Sequence, residues 1–306
     1  MNVLIRADSS SNIGTGHIMR CLVLAKEFKD DNVVFATQDL KGNLNQKIKD
    51  EAYKIELLKS NDFEELNRLI KKLNIDLLII DHYKIDYKFE KKLKKENKKL
   101  KILSFDDTYE KHYCDILLNH NIYADKKKYK NKTPKNCELR CGSKYTLLRD
   151  EFLEVKNQKE RNIEKTKTIF LALGGADHKN LNIKVLKTIE KTFKSSFKVN
   201  LVTTNANKNL KKLKDYCANK SWVNLQINSK EIANLMWQSS FAIITPSVTA
   251  NEVYYLDIPF IAIKTAKNQK EMYKYLLKNG YNIIKNFDSK KLEEYLINFG
   301  EKYENR

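Results

Sequence analysis

Short β-prone apolar runs alternate with longer helical patterns along this chain, in two series. The first comprises residues 2 to 5, 33 to 36, 54 to 58, Leu77-Leu78-Ile79-Ile80, Ile102-Leu103-Ser104 and Asp115-Ile116-Leu117-Leu118. The second comprises residues 168 to 173, 198 to 203, 223 to 227, 241 to 245 and 259 to 263. Parallel neighbours need a long return connection, so strands alternating with helices predict parallel sheets. The expected fold is α/β, with two Rossmann-like parallel-sheet domains facing a cleft. The first is expected over residues 1 to 150 and the second over 168 to 306. A linker is expected at 151 to 167, where Glu151-Phe152-Leu153 gives way to a charge-dense run without apolar periodicity. The final helix, residues 289 to 303, is free to pack back on the first domain.

With 306 residues, 42% of them hydrophobic, the chain carries enough apolar material for two cores. Its five cysteines (Cys21, Cys114, Cys137, Cys141 and Cys217) are scattered and lack C-x-x-C spacing, which points to neither a disulfide framework nor a zinc site. No basic segment leads an apolar run at the start, and no apolar stretch approaches the ~20 residues that cross a bilayer, so a cytoplasmic chain is expected. The net charge of +19 comes from lysines spread over helices and loops. The aromatic residues form no stacking platform, so nucleic acid is not expected as a partner. A positive field still attracts an anionic, phosphorylated substrate.

The segment from Ile5 to Arg20 has the pattern of a site. The strand Val3-Leu4-Ile5 runs through Arg6-Ala7-Asp8-Ser9-Ser10-Ser11 into Gly14-Thr15-Gly16-His17, which opens an amphipathic helix. Gly14 and Gly16 allow a tight turn and close approach of a ligand, and the helix N-terminus favours a nearby negative charge. That positive dipole end also disfavours a positive charge on the His17 ring, which leaves a nitrogen able to take a proton from water. A dinucleotide-binding turn is disfavoured, because the third glycine of G-x-G-x-x-G is absent and no acidic residue follows Val33-Val34-Phe35-Ala36.

In open parallel sheets ligands bind beyond the carboxyl ends of the strands. Those ends are polar here: Asp81-His82-Tyr83, Asp106-Asp107 and Asn119-His120-Asn121. With Asp8 and His17 they are expected to converge at one mouth of the first domain. No pair has the spacing of a zinc-binding helix and no cysteine joins them, so no metal is expected. Taken singly, His82, His112, His120 and His178 read as structural or exposed.

The second series carries two anion-binding patterns. Gly174-Gly175-Ala176-Asp177 follows a strand and precedes a helix, so its backbone N–H groups can meet a phosphate. Ser247-Val248-Thr249-Ala250-Asn251-Glu252 starts another helix with hydroxyls in its capping region. Glu252 is placed to accept from two vicinal ribose hydroxyls, and Lys267-Asn268-Gln269 can reach a sugar or phosphate. Diphosphate and ribose sites on one domain, with a base on the other, describe a nucleotide-sugar enzyme.

Five motifs carry a family resemblance: Arg6-x-Asp8-Ser9-Ser10-x-x-Ile13-Gly14-x-Gly16-His17-x-x-Arg20, Asp81-His82-Tyr83, Ser104-Phe105-Asp106-Asp107, Leu173-Gly174-Gly175-x-Asp177, and Asn251-Glu252 with Lys267-Asn268-Gln269. From residue 1 to about 285 the chain resembles the UDP-2,4-diacetamido-2,4,6-trideoxy-β-L-altropyranose hydrolases of pseudaminic acid biosynthesis, a family similar in fold to GT-B glycosyltransferases of the MurG type. It departs from the pattern in a C-terminal extension from about Phe287 and a lysine-rich insertion near 84 to 99. The resemblance implies cleavage of the anomeric C–O bond of a UDP-sugar by water, with inversion and no cofactor. His17 is expected to be the catalytic base. Asp8, Gly14, Gly16, Asp81, Tyr83, Gly174, Gly175, Ser247, Thr249, Asn251, Glu252, Asn268 and Gln269 are expected to bind substrate, Asp8, Asp81 and Tyr83 by positioning the sugar or by holding His17. A monomer is expected, with the UDP-sugar as partner and neither nucleic acid nor membrane. A GT-B glycosyltransferase with an acceptor other than water is the competing reading.

Overall fold

The computed structural model describes residues 1 to 158, 167 to 194 and 196 to 304. They divide into two compact units, Met1–Leu147 and Leu148–Arg306. In chain order the first contains β1 (Asn2–Ala7), α1 (Gly16–Ala25), β2 (Asn32–Thr37), α2 (Asn45–Asp50), β3 (Lys54–Leu57), α3 (Phe63–Lys72), β4 (Leu77–Asp81), α4 (Tyr87–Glu96), β5 (Lys101–Phe105), β6 (Ile116–Asn119) and β7 (Glu138–Cys141). The second contains α5 (Asp150–Asn157), β8 (Thr168–Ala172), α6 (Asn182–Phe193), β9 (Lys198–Thr203), α7 (Leu210–Cys217), β10 (Val223–Ile227), α8 (Ile232–Trp237), β11 (Phe241–Ile244), α9 (Val248–Tyr255), β12 (Phe260–Ile263), α10 (Lys270–Lys278), β13 (Asn282–Ile284) and α11 (Ser289–Glu304).

Both sheets are parallel throughout. The first has the order β3-β2-β1-β4-β5-β6-β7 and the second β10-β9-β8-β11-β12-β13. Helices cover both faces of such sheets, so central strands are apolar on both sides. Leu77, Leu78, Ile79 and Ile80 of β4 are accordingly all buried. Against β1 pack Ile18, Cys21, Leu22 and Ala25, the i, i+3, i+4, i+7 stripe of α1. Side-chain caps start some of the helices. Asp86 accepts from the N–H groups of Lys88 and Phe89 at the head of α4, and Asp177 accepts from those of Leu181 and Asn182 at the head of α6.

Every strand expected from the apolar runs is present. The additional strands, β7 and β13, lie at sheet edges, where a short strand needs no continuous apolar run. Two expectations are corrected. The stretch expected as linker from residue 151 is in part helical, because Phe152 and Val155 of α5 are one turn apart and both buried, while the remaining residues of α5 are polar apart from the exposed Leu153. The remainder of that expected linker, residues 159 to 166, lies outside the described residues. The final helix packs within its own unit: Leu292 and Leu296 of α11 join Ile189 of α6 and Phe241 of β11 in one core, and Phe299 stacks on Phe241 at 4.7 Å. No helix among the described residues is long and apolar enough to cross a membrane.

Candidate active site

Each sheet reverses its direction of growth beside its first strand, at β1 and β4 in one unit and at β8 and β11 in the other. The loops leaving such neighbours diverge, which opens a crevice at their carboxyl ends. Ala7 pairs in register with Asp81, so the loop from Asp8 to His17 and the tripeptide Asp81-His82-Tyr83 leave the first sheet side by side.

His17 lies in the first turn of α1. Its Nδ1 is 2.6 Å from Oδ1 of Asp81, whose side chain is almost sealed from water. Arg20 donates to both oxygens of the same carboxylate, from Nε at 2.6 Å and from an Nη at 2.5 Å. Burial alone would raise the Asp81 pKa, but Arg20 and His17 hold it well below the usual carboxylate range. An ionised carboxylate can only accept, so the 2.6 Å contact requires a proton on Nδ1, and Arg20, 3.2 Å from the same nitrogen, then spends its donors on Asp81 rather than on the ring. Nε2 is then the basic nitrogen. The exposed ring of Tyr83 meets the His17 ring edge-on, with centroids 5.1 Å apart and planes at 85°.

Asp81 and His17 meet at this mouth as expected, and of the two duties open to Asp81, the sugar or His17, its contacts match the second. Asp81 orients His17 and Arg20, so its carboxylate is engaged within the protein. Asp8 is engaged even more fully: Arg6 binds it through two nitrogens at 2.8 and 2.7 Å, the Gln38 N–H donates at 2.7 Å, and His82 Nε2 lies 3.2 Å away. Burial would raise the Asp8 pKa, yet His82 and Arg6 drive it well below its ordinary value. Asp8 therefore holds the strand end together and has little left for a sugar. Gly14 takes φ +89° and pairs with Ser10 through its N–H at 2.8 Å, and a Cβ at either Gly14 or Gly16 would point into open space.

Asp107 joins the mouth as expected, and Arg20, a motif residue without an expected role, joins it too. Arg20 lies three residues after His17 on one helix face, and that spacing is the signal that could have found it. Asp107 accepts from the Tyr83 hydroxyl at 2.9 and 3.1 Å and lies 3.5 Å from Arg20. Behind it, Asp106 shapes the turn by accepting from the Thr108 and Glu110 N–H groups and the Tyr129 hydroxyl. His112 lies between Glu90, at 2.8 Å, and Asp106, at 3.9 Å. Burial would lower the His112 pKa, but the two carboxylates raise it to about 10. His120 is its opposite: burial, with Arg20 nearby, pushes it down to about 3, so it stays neutral, its Nδ1 accepting from the Leu147 N–H.

In the second unit Gly174, Gly175, Ser247, Thr249, Asn251 and Glu252 gather beyond the carboxyl ends of β8 and β11. Gly174 takes φ +81°, and a Cβ on Gly175 would lie 2.7 Å from Thr204 Cγ2. Asp177 already caps α6, so the Leu181 and Asn182 N–H groups are not offered to a phosphate. The expected hydroxyl cap of α9 is absent: Ser247 Oγ lies 3.0 Å from Thr245 Oγ1, and no side chain caps the helix. Glu252 is buried and accepts from Arg149 at 3.0 Å, a partner not foreseen. Burial pushes its carboxyl upward against the pull of Arg149. Asn268 is exposed, whereas Gln269 is corrected to a structural role, since its amide accepts from the Thr265 and Ala266 N–H groups and donates to the Thr265 hydroxyl. Among the described residues, no group of three or more His, Cys, Asp or Glu side chains is arranged to hold a metal ion.

No family model matches the chain. A protein of Campylobacter jejuni, UDP-2,4-diacetamido-2,4,6-trideoxy-beta-L-altropyranose hydrolase, is 42% identical over 283 residues, covering 92% of this chain and 98% of that one. The chain belongs to that hydrolase's family. Its fold matches MurG of Acinetobacter baumannii with a TM-score of 0.67 at 13% identity, covering 98% of this chain and 90% of that one. It also matches the UDP-GlcNAc 2-epimerase of Neisseria meningitidis with a TM-score of 0.65 at 14% identity, covering 99% and 93%. At these identities the likeness is one of fold alone, two parallel-sheet Rossmann-like domains of the GT-B kind.

Proposed function

We propose that the chain is a nucleotide-sugar hydrolase acting on UDP-2,4-diacetamido-2,4,6-trideoxy-β-L-altropyranose in pseudaminic acid biosynthesis. One observation carries the mechanism: a histidine at a helix N-terminus with Nδ1 on a buried carboxylate 2.6 Å away. With Nδ1 protonated, Nε2 takes a proton from water as that water attacks the anomeric carbon. The new bond joins water oxygen to the carbon, the bond to the UDP oxygen breaks on the opposite side, and the configuration inverts. Charge accumulates on the departing diphosphate. Backbone N–H groups near Gly174-Gly175 and Ser247 to Thr249 are assigned to meet it, and Glu252 and Asn268 to hold the UDP. Gly14 and Gly16 leave room for the sugar beside His17.

The test is to incubate the purified protein with that UDP-sugar in EDTA, following UDP release and the anomeric configuration of the free sugar by NMR. Release with inversion is expected, and His17→Asn should lower kcat by about 10²- to 10⁴-fold while UDP affinity is retained. Release only after an acceptor alcohol is added would move the chain to the glycosyltransferases.

A further inference from the structure

Asp107 closes a ring of contacts around His17 and Asp81. Its carboxylate accepts from the Tyr83 hydroxyl, and Tyr83 lies edge-on to the His17 ring. On its other side Arg20 approaches at 3.5 Å, and the same guanidinium grips Asp81 with two further donors. Asp81 returns to His17 at 2.6 Å. The Asp107 backbone is itself fixed, since its carbonyl accepts from the Tyr123 hydroxyl at 2.5 Å and Asp106 pins the turn from behind.

This arrangement addresses a mechanical need. The Asp81 contact holds one nitrogen of the imidazole but leaves the ring able to rock about that contact. Tyr83 supplies the second point of support, but it is 56% exposed, and an exposed side chain wanders unless tethered. Its hydroxyl on a carboxylate is that tether, and hydrogen bonds to charged acceptors are among the stronger ones.

We infer that Asp107 is a positioning residue for His17, acting through Tyr83 and, on the far side, through Arg20. The inference rests on the hydrolase reading for its kinetic consequence but not for its geometric one. A displacement of about 1 Å in the base can cost about 10²-fold in rate.

Four variants test it: Asp107→Ala, Asp107→Asn, Tyr83→Phe and the double variant Asp107→Ala with Tyr83→Phe. Two readouts are taken, kcat and KM for UDP release, and the ring resonances of His17 in ligand-free protein labelled in its histidines. Asp107→Ala is expected to lower kcat by about 10- to 100-fold with KM changed less than about threefold, and Tyr83→Phe to match it. The double variant should be no worse than the poorer single one, because both cut the same link. Asp107→Asn keeps an acceptor for the Tyr83 hydroxyl and should regain most of the loss. The His17 resonances should move in the same direction in Asp107→Ala and Tyr83→Phe.

A raised KM with intact kcat in Asp107→Ala would make Asp107 a substrate contact and overturn the inference. So would losses that multiply in the double variant, an Asp107→Asn variant as impaired as Asp107→Ala, or unmoved His17 resonances. If the wild-type protein releases no UDP, the hydrolase reading fails, and the His17 resonances still decide whether Asp107 positions the ring.

Discussion

Two buried carboxylates in the first unit, Asp8 and Asp81, each lie at or just past the end of a strand, and each meets an arginine in the folded protein. Their surroundings separate them. Asp81 shares itself between Arg20 and His17, the proposed base, so Asp81→Asn should both lower kcat by about 10²-fold or more, through loss of the fixed tautomer, and destabilise the protein. Asp8 faces Arg6, the Gln38 N–H and His82, so Asp8→Asn should cost about 3 to 5 kcal/mol of stability, read as a lower urea midpoint, with KM little changed. A KM raised several-fold at unchanged stability would return Asp8 to the substrate contacts. The place of His17 at the head of a helix was legible because its signal is local, a Gly-x-Gly-His turn running into a helix. The partners of Asp8 and Gln269, and the choice for Asp81 between the sugar and His17, were not, since which partner uses up a carboxylate or an amide depends on segments that meet only in the folded protein.

The apolar runs located the central strands because a strand buried on both faces must be apolar along its length. Residues 138 to 141 and 282 to 284 escaped notice because edge strands have no such requirement. In α5, the buried pair Phe152 and Val155 suffices to seat a helix face, and the charged residues around them hid it. The turn after β8 is more exacting. A Cβ at Gly175 would strike Thr204, so Gly175→Ala should shift this loop and weaken UDP binding by calorimetry, whereas unchanged affinity would remove the turn from the diphosphate site. In α11, Leu296→Ala should destabilise the second unit by about 2 to 5 kcal/mol, the cost of a cavity in a closed core. A loss below about 1 kcal/mol would mean that the helix is only loosely seated.

Across the molecule, titration and net charge set the working conditions. The fold favours protonated His112 between Glu90 and Asp106, and raises its pKa from 6.5 to about 10. That contribution to stability is complete below pH 6.5 and disappears as the pH climbs through about 10. The difference in urea midpoint between the wild type and His112→Gln should therefore shrink from pH 6 to pH 10; a difference that stays constant would contradict the charged assignment. The net charge of +19 should aid capture of an anionic nucleotide sugar, so kcat/KM is expected to fall with added salt while kcat holds.

The seating of α11 also has a consequence in time. Domains are generally completed as the chain emerges during synthesis. The first unit has all its strands once residue 141 is out, and can close while the rest is still being made. The second cannot: its core lacks Leu292 and Leu296 until every one of its strands has emerged, and β11 keeps a bare apolar face through that interval. A nascent chain paused before residue 289 is thus the species that a chaperone would be expected to bind.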